Sequence, residues 1–213
     1  MLTISPSFEL IDPPLYEELL EKVERAGRVC YKSESKISEG SAEKFISSLL
    51  SRGHESVIEH AIISVKITCD RGVTHELVRH RIASYSQEST RYCNYSKNKF
   101  GNQITFIDIS TGFKYDLTNE VDLQKYNIWI EAMNNAENSY FALLNLGASP
   151  QEARSVLPNS LKTDIVTTMN IRSWRNFFKL RTSAAAHPQM REIASMLLND
   201  FVNRYPVFFS DLQ

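Results

Sequence analysis

Thr74 to Tyr92 reads THELVRHRIASYSQESTRY and holds three arginines, two histidines and three serines without a glycine or proline. Such a density of hydrogen-bond donors points to a site for anions. Val73, Leu77 and Arg81 fall on one helical row and Val78 and Ile82 on the neighbouring one, so the spacing predicts a helix whose face mixes apolar bulk with a cation. Successive helix residues point about 100° apart, so Arg79, His80 and Arg81 serve different parts of a large ligand, or different chains. From Ser84 to Arg91 the apolar period is lost. Ser84, Ser86, Gln87, Glu88, Ser89, Thr90 and Arg91 favour loops and helix ends, so the expectation is a helix running into a binding loop.

Arginine suits phosphate because its planar guanidinium donates two parallel hydrogen bonds, to which a nearby serine adds a third. Ser89 and Arg91 have that chemistry. The residues alone leave a second reading open, a solvated charged face on which Arg79 and Arg81 pair with Glu76 and Glu88 at about 0.5 kcal/mol per pair.

At 213 residues and 42% hydrophobic, the chain has the size of one domain with a substantial core. A net charge of -1 argues against a general electrostatic grip on a nucleic-acid polymer and favours a nucleotide-sized anion. Cys30, Cys69 and Cys93 show neither paired spacing nor a C-x-x-C motif, which predicts a reducing cytoplasm and no zinc ribbon. No run of 18 apolar residues and no signal-like amino terminus are present, so neither a membrane nor secretion is expected.

Working outward, Leu2 to Leu10 alternates like a strand, and Asp12 before Pro13 and Pro14 predicts a capped helix to Arg28. Ser38 to Arg52 is amphipathic, with Phe45, Leu49 and Leu50 inward and Gly53 as its stop. His54 and His60 flank two glutamates, yet histidines six apart sit about 240° round a helix and do not share a metal. The bare residues there predict polar capping of the loop before a strand, and no metal site is expected. Ala61 to Cys69 alternates cleanly, with Ile63, Val65, Ile67 and Cys69 on one face. Asn94 to Asn102 reads as loop and Ile104 to Ile109 as a short strand. Thr118 to Leu146 predicts a long helix, structural with room for a subunit contact. Ser149 opens a capped helix, and Asp164 to Met169 is a buried strand. A helix from Asn170 then carries Arg172 and Asn176 on one face, and Gln189 to Tyr205 is a last amphipathic helix. These elements make an α+β fold, a single domain over residues 1–213 with a mostly antiparallel sheet packed against long helices.

Seven dispersed glycines give neither a G-x-G-x-x-G turn nor a P-loop, so phosphate must be held chiefly by side chains. No G-x-S-x-G elbow and no P-C-Q motif are present, leaving covalent serine or cysteine chemistry without support.

RHRIASYSQESTRY, with RHR at Arg79 to Arg81 and S-x-R at Ser89 to Arg91, resembles the signature of the flavin-dependent thymidylate synthases. GHESVIEH from Gly53, the AR-x-VLP run that includes Arg154, and LRTSAAAHPQ from Leu180 extend the resemblance over most of the chain. It implies an enzyme that methylates deoxyuridine monophosphate (dUMP) to thymidine monophosphate, with flavin adenine dinucleotide (FAD) as cofactor. Methylenetetrahydrofolate would give the carbon and NADPH the reducing equivalents. Carried over by motif, FAD contacts are Ser56, Glu59, Arg79, His80, Arg81, Gln87, Asn170, Arg172, Asn176 and His187. The nucleotide contacts are Glu76, Arg79, Gln87, Glu88, Ser89, Thr90, Arg91, Arg154 and Arg181. Arg181 is the expected catalytic residue, because a fixed guanidinium at the uracil edge favours the N3 anion and raises the reactivity of C5. Ser86 and Gln87 depart from the asparagine and glutamate of many members, and two extra residues separate Arg181 from His187. The family's homotetramer, with sites completed by neighbouring chains, matches the divergent directions of residues 79–81. The rival from another class is a nucleotide or RNA binder that stacks bases on Tyr85 and Tyr92. A third reading is a flavoprotein oxidoreductase without methyl transfer.

Overall fold

The computed structural model describes residues 1–97 and 101–213. Along the chain run β1 (Leu2–Ile4), β2 (Ser7–Ile11), α1 (Tyr16–Val29), α2 (Ser41–Ser51), β3 (Ile62–Asp70), α3 (Arg71–Leu77), β4 (Ala83–Gln87) and β5 (Thr105–Ile107). There follow α4 (Glu120–Asn145), α5 (Pro150–Ala153), β6 (Lys162–Asn170), α6 (Ile171–Arg181), α7 (Pro188–Arg204) and α8 (Pro206–Phe209). The fold is α+β: an antiparallel sheet of order β2-β3-β6-β4, and a separate parallel pair of β1 with β5.

Strands β3 and β6 pair along their whole length, from Ile62↔Asn170 to Asp70↔Lys162. For β3 the alternation sorts the two faces as the sequence predicts, while β6, expected as a buried strand, alternates in the same way. Ile63, Val65, Ile67 and Cys69 are buried with Ile165 and Met169, while Ser64, Lys66, Thr68 and Thr168 are half-exposed. Trp174, Phe177 and Phe178 of α6 and Ile193, Leu197 and Phe201 of α7 belong to the same core as the buried face. The Trp174 ring stacks 5.8 Å from Phe178 and meets Phe201 edge-on at 5.2 Å, and its Nε1 donates to the Ile63 carbonyl at 3.1 Å. Each such ring contributes about 1.5–3 kcal/mol by burial, well above a surface ion pair. Packing of α6 on the sheet therefore decides where the polar residues of α6 point. A second cluster, with Ile104, Phe106, Met133, Tyr140 and Leu161, joins α4 to the β1–β5 pair.

Several boundaries differ from the sequence reading. The single strand expected over residues 2–10 is two strands in different sheets, broken at Pro6, whose missing N–H interrupts a ladder. Helix α1 starts after Leu15, whose N–H is met by Glu18 at 3.4 Å, and Asp12 is not its cap. Residues 54–60 form a 3-10 turn over Glu55–His60 that buries Val57 and Ile58, without a side-chain cap from His54. The loop expected over residues 94–102 includes residues 98–100, which lie outside the described residues.

The largest correction falls on the signature itself. The helix stops at Leu77 instead of continuing through Ile82, and residues 83–87 are a strand, not a loop. Strand β4 pairs with β6 from Ala83↔Met169 to Gln87↔Ile165. At the stop, the Tyr85 hydroxyl lies 2.8 Å from the Leu77 carbonyl, which also accepts the His80 N–H at 3.1 Å, and 2.7 Å from the carbonyl of His80.

Candidate functional site

Two strand-to-helix corners place the site. Strand β3 ends at Asp70, whose Oδ1 accepts the Val73 N–H at 2.7 Å and starts α3. Strand β6 ends at Asn170, whose Oδ1 accepts the Ser173 N–H at 2.8 Å and starts α6. Both are short polar side chains at the N-cap, where they satisfy an otherwise orphan helix donor.

A cleft of about 650 Å³ runs along α6, lined by Arg79, His80, Arg81 and Ile82 on one side and Asn170, Arg172, Asn176 and Arg181 on the other. Glu55, Glu59, Ser173, Lys179 and Leu180 complete it. Five cations against two carboxylates make it an anion site with an apolar margin at Ile82, which is 73% exposed. Arg172 is held by Glu59 at 2.5 Å and by Glu55 at 3.7 Å, and Lys179 lies 3.6 Å from Glu55. Among the described residues, neither Arg79 nor Arg81 forms an ion pair. The face pairing considered from sequence is therefore not what forms, because Glu76 pairs with Arg181 and Glu88 with Lys162.

Arg181 is tightly bound. Its Nη1 donates to Glu76 Oε2 at 2.7 Å, its Nη2 to the Glu76 carbonyl at 3.2 Å and its Nε to His80 Nε2 at 3.1 Å. Burial first, and the Arg181 charge second, lower the His80 pKa from 6.5 to about 4, so the imidazole is neutral near pH 7. Since Nε2 accepts, the ring proton sits on Nδ1.

The other expected contacts do not enter this cleft. Ser56 lines an adjoining pocket of about 290 Å³ with Tyr31 and His54, which shares Glu55 and Arg172 with the cleft. Gln87 Nε2 donates to the hydroxyls of Thr74 and Thr163 at 3.1 and 3.3 Å. Glu88 receives Lys162 at 3.2 Å and the Tyr95 hydroxyl at 3.1 Å. Buried Thr90 accepts from Arg154 at 3.2 Å, and Arg91 lies over the exposed Tyr92 ring at 5.1 Å from its centre. His187 precedes α7 and meets Phe113 edge-on at 5.6 Å. Residues 79–81 stand at the Met169 end of β4 and residues 89–91 beyond its Ile165 end. Seven residues, five of them strand β4, separate the two groups by roughly 20 Å.

Lys179, Glu55, Ile82, Ser173 and Leu180 escaped the sequence reading. A signal existed for Lys179, which follows Arg172 and Asn176 at i+7 and i+3 on one helix face.

The chain matches the family described as thymidylate synthase complementing protein over residues 15–207. It belongs to the flavin-dependent thymidylate synthase family. Relatives named flavin-dependent thymidylate synthase include that of Pyrococcus furiosus, 37% identical over 170 residues, or 79% of this chain and 66% of that protein. The relative from Geobacter sulfurreducens is 33% identical over 193 residues, covering 87% and 78% respectively. The chain thus spans just under two thirds of the first relative's length. Among solved structures, the UMP/dUMP methylase PolB of Streptomyces cacaoi, bound with 5-Br dUMP, superposes with a TM-score of 0.78 over 99% of this chain and 96% of its own. At 24% identity that likeness establishes the shared fold. For a flavin-dependent family the donor set of the cleft fits: clustered guanidinium groups suit a pyrophosphate, and the exposed Ile82 and Leu180 offer apolar surface for a ring.

Proposed function

We propose that this chain is a flavin-dependent thymidylate synthase, methylating dUMP to thymidine monophosphate in the cytoplasm as a homotetramer of single-domain chains. In this reading 5,10-methylenetetrahydrofolate gives the carbon and leaves as tetrahydrofolate, and NADPH supplies reducing equivalents through FAD. The bound flavin supplies the hydride chemistry. The chain's own residues bind, orient and polarise.

Glu59, Arg79, Arg81, Asn170, Arg172 and Asn176 form the flavin surface along the cleft, with Ser56 at its adjoining pocket. Arg181 meets the uracil edge, where its fixed positive charge favours the N3 anion and so makes C5 the better nucleophile. Ser89, Thr90, Arg91 and Arg154, with Gln87 and Glu88, hold the nucleotide from a neighbouring chain. His187, away from the cleft of its own chain, reaches flavin only in that assembly.

The observation that carries this reading is Arg181, fastened at the head of a cationic cleft by Glu76 and His80. Thymidylate formation should be assayed with folate, NADPH and flavin each omitted in turn. Loss of product in all three omissions is expected. Product formed without flavin refutes the cofactor assignment, and NADPH oxidation without methylated nucleotide supports a plain oxidoreductase instead.

A further inference from the structure

Arginine carries five N–H donors in one plane, and three of those of Arg181 are taken within the chain. One donor remains on each outer nitrogen. What orients that plane matters, because a charge aimed at a ring edge acts through direction as well as distance. Two groups compete for the role. Glu76 is a third exposed, on a flexible side chain able to follow the guanidinium. His80 is only 9% exposed, and its ring packs edge-on against the buried Phe177 at 5.2 Å. Phe177 and Arg181 lie one turn apart on α6, so the imidazole is wedged between them. Its backbone is held as well, through the Tyr85 hydroxyl on the His80 carbonyl.

We propose that His80 is a positioning residue for Arg181: its Nε2 accepts the Arg181 Nε–H and fixes the plane in which the two outer nitrogens face the cleft. This rests on the reading of Arg181 as the group that acts on the nucleotide. It moves His80 from the flavin contacts to the support of the catalytic arginine. Nε is the informative atom, since it joins the guanidinium to the side chain and a bond there stops rotation of the whole plane. The Glu76 carboxylate then balances the charge, and its backbone carbonyl holds Nη2 as a second point on the same plane.

Two substitutions in the flavin-loaded protein test this. His80→Phe keeps a ring against Phe177 and removes the acceptor, whereas His80→Gln places an amide oxygen at similar reach. The expectation for His80→Phe is a fall in kcat of about tenfold or more, with KM for dUMP and FAD affinity, read from visible absorbance, within about threefold of wild type. His80→Gln should recover kcat to within about threefold. Wild-type kcat in His80→Phe overturns the proposal. So does a fall that tracks loss of flavin, which makes His80 a cofactor contact, or a His80→Gln protein no faster than His80→Phe. A second arm needs no turnover: nitrogen-15 NMR of labelled histidine in wild type and Arg181→Met. The Nδ1–H tautomer is expected in wild type, and His80 should titrate near pH 4 there and higher in the variant, where the neighbouring charge is gone while burial, the larger cause, remains. An Nε2–H tautomer, or a titration that Arg181→Met leaves in place, also overturns it. A wild-type protein that makes no thymidylate refutes the proposed function, and the NMR arm still decides the contact.

Discussion

At the scale of single residues, an arginine guanidinium is a charge that solution pH does not switch off, so the role of Arg181 is tested by substitution. Removing it tests its chemistry with little effect on the cationic cluster that the flavin would meet. Arg181→Ala is expected to keep the flavin absorbance and to lower thymidylate formation by about a hundredfold or more, the usual loss for a charge-stabilising group. A near-normal rate takes Arg181 out of the mechanism. His80 gives a different signal, in stability. Its folded pKa of about 4 lies below the ordinary 6.5, so between those values the unfolded chain binds more protons than the folded one. Stability is therefore full above pH 6.5 and falls as the pH drops toward 4. Denaturant midpoints measured from pH 7.5 to 4 should show that fall, and His80→Phe should flatten it. Asp211 is separable, because the Arg175 hydrogen bond holds its pKa below the ordinary 3.8 and its share is lost only at lower pH.

At the scale of elements, the two strand-to-helix corners are the devices that aim the site, and each depends on one side chain. Asn170→Ala removes the acceptor for the Ser173 N–H and is expected to cost about 1 kcal/mol. In a chain of this size that is a drop of about 2–4 °C in Tm, measurable by calorimetry without flavin. Asn170→Asp keeps an acceptor and should melt near wild type, so equal losses in both variants argue against the cap. Strand β3 was legible because it buries alternate residues in a long regular run, and β6 because its β-branched residues suit a pleated strand. The helix after β3 was overread for the opposite reason. Val78 and Ile82 stand at helical spacing, yet both are exposed and form no buried stripe, and Ile82 instead lines the cleft. Strand β4 was missed because it is a short edge strand whose outward residues are all polar, leaving Tyr85 as its one strong inward mark. Cleft cations such as Arg79 and Arg172 were recoverable by type and spacing. Glu55 was not, because only folding brings its carboxylate to the cations of α6.

At the scale of the whole molecule, the two halves of the proposed site lie apart on one chain. Arg181 sits in the cleft, while Arg91 and Arg154 lie past the far end of β4, roughly 20 Å of extended chain away. Exposed Val121 and Ile128 follow one another at i+7 on α4, giving an apolar stripe that a second chain can cover. If the halves meet across such a contact, two defective chains should repair each other. Arg181→Ala lacks the activating cation and Arg91→Ala lacks a nucleotide contact, so each alone is expected to be nearly inactive. Unfolded together in equal amounts and reassembled, they form sites that draw Arg181 from one chain and Arg91 from another. Random pairing makes both intact in about a quarter of sites, so about a quarter of wild-type activity should return. Recovery requires that the two residues come from different chains; a site built within one chain is broken in every subunit and leaves the mixture as inactive as its parts.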